Sequence, residues 1–304
     1  MKIFLSKINE SWIVDRVRQE WYNSNKNIGT QRISKADIIW IISPWLWKKI
    51  PKKHLIEKRV LCSYYHFDFD NFDYEEFKDL DQYVDQYHVI SEKTKKDLET
   101  LTSKKIISIP FWVNQEIFYE IKDKKTLKKE MGFNDNEFLI GSFQRDTEGS
   151  DLISPKLIKG PDTFLRLIKE IIKDKENLKV VLSGKRRGYL INNFEKEGIP
   201  YEYFEMVNLE ELNKLYNVLD LYLVTSRIEG GPQAILECGI SKTPILSTDV
   251  GVASEILDPA SIFNENNFTK AKANPDLAYK NSLEFIMPKG IQKFNLMLKE
   301  LYES

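Results

Sequence analysis

The run Thr225-Ser226-Arg227-Ile228-Glu229-Gly230-Gly231-Pro232-Gln233-Ala234-Ile235-Leu236-Glu237 holds the residue types most ready for chemistry. An apolar stretch ends at its start, and a Gly-Gly turn follows. Pro232 stands where a first helical residue is expected, and an apolar helix pattern continues behind it. Glycines let backbone approach a ligand closely, and a helix N-terminus offers free N–H groups. That combination favours a phosphate. Glu229 precedes the expected helix and Glu237 lies inside it, so the two carboxylates can address different parts of one elongated ligand. Their spacing alone says little, since it recurs at Glu197/Glu205 and Glu202/Glu210. The strand, Gly-Gly, Pro and helix around this one pair make the signal.

Two cations stand after other expected strand ends. Arg145 closes Gly141-Ser142-Phe143-Gln144-Arg145, and Lys159 opens Lys159-Gly160-Pro161-Asp162. Two cations beside a helix N-terminus form an anion site.

The elements that must position these groups alternate strand and helix. In the first part, strands are predicted at 2–6, 37–43, 59–65, 86–90 and 105–110, with helices at 12–23, 45–50, 74–83 and 91–101. Strands alternating with helices argue for a parallel sheet covered on both faces. A polar, lysine-rich stretch at 114–136, with a solvated helix at 122–129, marks the boundary. Beyond it come strands 138–143, 178–183, 201–204, 221–225 and 244–248. Helices are predicted at 161–173, from Asn208 onward, and at 232–240 and 254–257. Asn208 followed by Glu211 reads as a capped helix start. The expected domains are 1–115 and 116–288, with a last amphipathic helix in 289–304 packing back on the first domain. Open α/β sheets bind ligands beyond the carboxyl ends of their strands.

The segment Glu229–Glu237, continued by Ser247-Thr248-Asp249-Val250-Gly251-Val252-Ala253-Ser254-Glu255, resembles the signature of family 4 retaining glycosyltransferases. Three further pieces are similar in the expected order: the strand-then-Arg element ending at Arg145, the Lys159-Gly160 element, and Val181-Leu182-Ser183-Gly184. The resemblance covers about residues 138–257. It implies a GT-B fold, two Rossmann-like doubly wound α/β domains facing a central cleft. It also implies transfer of a sugar from a nucleotide-diphosphate sugar, with retention and without an essential metal. Arg145 and Lys159 would hold the diphosphate and stabilise the leaving group. Glu229 and the Gly230–Gly231 backbone would contact the donor sugar and its phosphate. Glu237 would accept from the ribose hydroxyls. Gly184, Gln233 and the segment Met206, Val207, Asn208 would complete the nucleotide site.

In the first domain His66 follows an expected strand, where family members place a histidine near the donor sugar. His88 and His54 read as structural or surface. The domain is short, and Lys7-Ile8-Asn9-Glu10-Ser11 lacks the family's glycines. That leaves a non-catalytic nucleotide-sugar or glycan-binding subunit, or another GT-B activity such as an epimerase, as rival expectations. Asp68-Phe69-Asp70 matches an Asp-x-Asp metal pattern, but so does Asp79-x-Asp81, and a solvated acidic loop is the simpler reading. Lys185 and Arg186 read as nucleotide-bordering or surface charge. Trp45-Leu46-Trp47-Lys48-Lys49-Ile50-Pro51-Lys52-Lys53 mixes aromatics with cations, a composition suited to an anionic membrane carrying a lipid-linked acceptor. Buried Trp rings with solvated lysines is the competing expectation.

The 304 residues carry 45 basic and 46 acidic side chains, a net charge of −1. That balance excludes polybasic nucleic-acid binding. Two cysteines exclude a disulfide scaffold. No apolar run reaches membrane-spanning length, so a cytoplasmic enzyme is expected, with a nucleotide-sugar donor and a glycan or lipid-linked acceptor as partners and no cofactor.

Overall fold

The computed structural model describes residues 1–8 and 13–304. The expected helix start at Trp12 and the glycine-free residues Asn9, Glu10 and Ser11 lie outside the described residues. The chain forms two compact units, Met1–Trp112 with Phe285–Ser304, and Val113–Glu284.

The first unit is built on five parallel strands in the order β1 (Ile3–Leu5), β2 (Ile38–Ile41), β3 (Arg59–Tyr64), β4 (Gln86–Val89) and β5 (Lys105–Ser108). On the outer side of β1, Ile3 bridges Gly29, with Ile3 N–H donating to Ile28 O and Thr30 N–H to Ile3 O. The chain thus moves outward once and then crosses back over β1, so a switch of direction falls between β1 and β2. Its helices are α1 (Ile13–Ser24), α2 (Lys52–Glu57), α3 (Tyr74–Asp81) and α4 (Glu92–Glu99). The expected helix at 45–50 is instead a 3₁₀ segment, Pro44–Lys49. Successive strand residues face opposite sides, which sorts the core. Tyr87 stacks on Phe77 of α3 at 6.0 Å, while His88 faces the other way, toward Phe294 at 4.9 Å. Phe294 also stacks on Trp40 and Phe111. It belongs to the last helix of the chain (Lys289–Glu303), which Asn295 joins to Trp21 and Asn25.

In the second unit six parallel strands run in the order β11-β10-β9-β6-β7-β8. They are β6 (Phe138–Ser142), β7 (Leu178–Ser183), β8 (Tyr201–Phe204), β9 (Leu221–Val224), β10 (Ile245–Thr248) and β11 (Ile262–Phe263). The helices are α5 (Lys124–Glu130), α6 (Pro161–Ile171), α7 (Gly188–Glu197), α8 (Leu209–Val218), α9 (Gln233–Ser241), α10 (Ala253–Ile256) and α11 (Pro275–Ser282), so the last helix of the first unit is α12. The sheet starts at its centre, grows to β8, then returns past β6 to grow through β9. This reversal places a topological switch point between the carboxyl ends of β6 and β9. α6 buries Phe164, Leu167 and Ile168 on one face. α8 starts with the expected capping box between Asn208 and Glu211. α9 begins at Gln233, so Pro232 stands just outside the helix, contrary to the expectation that it is the first helical residue.

Candidate active site

Gln144, just past β6, ties three loops together at the switch point. Its side-chain oxygen accepts from Ser226 Oγ at 3.1 Å, and its nitrogen donates to Lys159 O at 2.9 Å. The loop after β9 is therefore held against the turn before α6. Arg227 and Ile228 N–H both donate to Ile158 O, and Arg227 forks onto Asp162 at 2.7 and 2.6 Å.

Two glycines make this packing possible. Gly160 has φ of 62°, and a Cβ there would strike the Thr225 carbonyl. Gly251 has φ of 50°, and a Cβ there would strike the Gly230–Gly231 peptide. Both positions need left-handed backbone and close approach together, so only glycine fits. The Gly-Gly turn is seated on Gly251 from one side, while Gly160 supports the strand end from the other.

Lys159 Nζ is ion-paired with the Glu229 carboxylate, both side chains being largely buried. Burial first, then the neighbouring charges of Lys156 and Arg145, push the Lys159 pKa down to about 7. Arg145 itself is exposed, but its backbone is fixed on both sides. The fully buried Arg187 donates from Nη1 to Ser142 O at 2.8 Å and to Gln144 O, and from Nε to Asp146 Oδ2 at 3.0 Å. Burial pushes the Asp146 carboxyl up to about 6 against the Arg187 charge. Asp146 also caps α7, accepting from Tyr189 N–H.

Glu237 lies on α9, 4% exposed, and accepts from the Tyr216 hydroxyl at 2.7 Å. Gln233 opens the same helix. Gly184 follows β7 in left-handed backbone, with its carbonyl accepting from Tyr203 Oη. Beyond β8, Met206 is exposed, Val207 half-buried, and Asn208 spends its side-chain oxygen on the cap of α8. The structure thus gathers Lys159, Glu229 and Arg145 directly. It puts Gly230, Gly231, Gln233, Glu237 and Gly184 on the loops and helices that leave the carboxyl ends of β7 and β9.

His66 belongs to the first unit, half-buried just after β3. His88 is a core residue: Nε2 donates to Ile109 O, and Nδ1 faces Ser63 Oγ, each at 2.8 Å. Asp68 pairs with Asn71, and Phe69 stacks on Phe67. Trp47 is buried as expected, whereas Trp45 is 45% exposed. Lys185 is exposed, and Arg186 reaches Gly149 O. Sequence patterns alone did not single out Arg187, Gln144 or Tyr216. Each acts through partners far away along the chain.

Residues 153–286 match the family described as glycosyl transferases group 1. A curated relative, alpha-galactosylglucosyldiacylglycerol synthase of Streptococcus pneumoniae, is 26% identical over 164 residues. That alignment takes in 51% of this chain and 41% of the relative, so it spans less than half of that protein. Among solved structures, HepE of Anabaena, in complex with UDP, superposes with a TM-score of 0.76 at 13% identity. The match covers 99% of this chain and 100% of that one. Sucrose-phosphate synthase of Thermosynechococcus elongatus gives 0.73 at 12% identity, over 98% and 81%. The chain has the α/β fold of GT-B glycosyltransferases, with two parallel-sheet units. Among the described residues no helix is long and apolar enough to cross a membrane.

Proposed function

We propose that this protein transfers a hexose from a nucleoside-diphosphate sugar to a glycan or lipid-linked acceptor. The second unit takes the donor and the first unit the acceptor. The observation that carries this reading is the Lys159–Glu229 pair, next to Arg145, at the switch point between β6 and β9. A diphosphate needs cations and N–H donors where its charge develops, and preorganised charges act most strongly in a water-poor site. Lys159 and Arg145 supply the cations. The Gly230–Gly231 turn and the start of α9 supply backbone N–H groups. Glu229, released from Lys159 when phosphate takes that charge, is placed to accept from a sugar hydroxyl, and Glu237 from the ribose.

Retention of configuration is part of the proposal, supported by the resemblance of Glu229–Glu237 to the family 4 signature. UDP is the first nucleotide to try, because HepE was solved with it. The glycolipid that the pneumococcal relative is named for making supports testing lipid-linked acceptors too.

A thermal-shift panel of UDP, GDP, ADP, dTDP and CMP, with and without EDTA, tests the donor site. A ligand at about 100 times its Kd adds roughly 2.7 kcal/mol of stability. Stabilisation by one diphosphate, abolished in Glu237→Ala, supports the reading. No stabilisation by any of them counts against it.

A further inference from the structure

We propose that Tyr216 is a positioning residue for nucleotide recognition, its hydroxyl fixing the Glu237 carboxylate in the orientation that meets the ribose diol. This rests on the reading of Glu237 as the ribose acceptor and adds the group that orients it.

Tyr216 is fully buried on α8, its ring wedged against Phe143 at 5.0 Å, Tyr222 at 5.5 Å and Phe118 at 6.0 Å. The ring has no room to swing, and the Oη–Oε2 distance to Glu237 is 2.7 Å. A second link joins the same two residues through their backbones. Thr243 Oγ1 donates to Tyr216 O at 2.9 Å and accepts from Ser241 Oγ at 2.8 Å, and Ser241 lies on α9 one turn after Glu237. Donor and acceptor are therefore held in register by both side chain and main chain.

Burial and the adjacent carboxylate raise the Tyr216 phenol well above its ordinary range, so it stays protonated and always donates. An ionised carboxylate offers about four acceptor positions and no donor. One is used by Tyr216. A ligand group that meets this carboxylate must itself donate, and a ribose diol does so where a dideoxyribose cannot. Without the Tyr216 hydroxyl, the Glu237 side chain would lose its fixed orientation. The same phenyl ring would still pack, which separates positioning from simple core filling.

The test titrates UDP and 2′,3′-dideoxy-UDP by calorimetry into the full chain, the Tyr216→Phe variant and the Glu237→Ala variant. The unmodified protein is expected to prefer UDP by about tenfold or more, the worth of a hydrogen bond to a charged group. Tyr216→Phe is expected to lose roughly three- to tenfold of that preference through weaker UDP binding, with dideoxy-UDP affinity unchanged. Equal weakening of both ligands, or an unchanged ratio, overturns the proposal. Glu237→Ala keeping the full preference overturns instead the ribose reading of Glu237, as does absence of UDP binding by the unmodified protein. Should Tyr216→Phe fail to fold, 3,5-difluorotyrosine at position 216 keeps the ring and donates more strongly. A rise in the preference supports the proposal, and an unchanged preference overturns it.

Discussion

Lys159 and Glu229 lie 70 residues apart in the chain, yet the lysine ammonium rests on the glutamate carboxylate at the switch point of the second sheet. Burial, Lys156 and Arg145 depress the Lys159 pKa to about 7, so the free protein holds this charge reluctantly. An arriving diphosphate favours the charged form and raises that pKa again. Nucleotide binding should therefore take up a proton above about pH 7, and affinity should fall as pH rises from there. Below that pH the group is already charged and contributes no slope. Calorimetry in buffers of different ionisation heats measures the proton uptake. Lys159→Gln should abolish it; an equal uptake in that variant would remove Lys159 from the account.

Turnover should be more sensitive than binding to these cations, because the leaving diphosphate gains charge as the sugar bond breaks. Removing one preorganised donor commonly costs about 10²–10³-fold in kcat. Arg145→Ala and Lys159→Ala are each expected to show losses of that order in sugar transfer, with thermal stability retained in Arg145→Ala. Arg145 is exposed, so its removal leaves the core intact. Unaltered kcat in either variant would contradict a role in the reaction.

The Gly-Gly turn owes its position to a third glycine. A Cβ on Gly251 would collide with the Gly230 carbonyl, and Gly251 is itself left-handed. Gly251→Ala should displace the turn and weaken nucleotide binding at least tenfold while the sheet still forms. Gly160→Ala pushes on Thr225 at the end of β9, closer to the core, and should lower Tm as well. Left-handed backbone alone costs a non-glycine residue about 1–2 kcal/mol. The comparison is made with Tm and UDP affinity on the same samples. Normal affinity in Gly251→Ala would show that the turn does not need this seat.

Much of this arrangement is readable from local pattern. The strands expected at 178–183 and 201–204 coincide with β7 and β8, and the Asn208–Glu211 box starts α8 as its residues predict. These signals are apolar runs and caps a few residues long. α7 escaped because its cap is remote: Asp146 accepts from Tyr189 N–H across 43 residues. β11 is two residues long, too short to show any periodicity. α11 carries a local signal, Asn274 capping just before Pro275. For the site, the loops bearing Arg145, Lys159 and Glu229 were legible as chemistry. Tyr216 was not, since a tyrosine in an apolar helix pattern reads as core until the fold brings Glu237 to its hydroxyl.

The segment after β2 presents Trp45 half-exposed next to Lys48, Lys49, Lys52 and Lys53. Each lysine near an anionic surface is worth about 1 kcal/mol. The protein should float with vesicles containing phosphatidylglycerol and not with phosphatidylcholine alone. Changing the four lysines to alanine should release it. Flotation that ignores this change would assign membrane contact elsewhere or dismiss it.

Acid should loosen the first unit through His88. Its ring is fully buried, with Trp40 donating to Ser63 and the Ser63 hydroxyl facing Nδ1. Ile109 O only accepts, so Nε2 carries the proton of the neutral ring. Burial lowers the His88 pKa from 6.5 to about 4. The unfolded chain therefore binds a proton that the folded one refuses between those values. The contribution to stability is complete above about pH 6.5 and is lost as pH falls toward 4, amounting to about 3 kcal/mol. Asp146, raised to about 6, acts in the opposite direction over part of this window, so the readout is a difference between variants. Urea midpoints across pH 4–7 should fall steeply in the unmodified protein and more gently in His88→Gln. Phe294 of α12 packs on this ring at 4.9 Å, so the C-terminal helix should release early on acidification. Hydrogen exchange of α12 amides reports that release, and identical slopes in the two proteins would remove His88 as its cause.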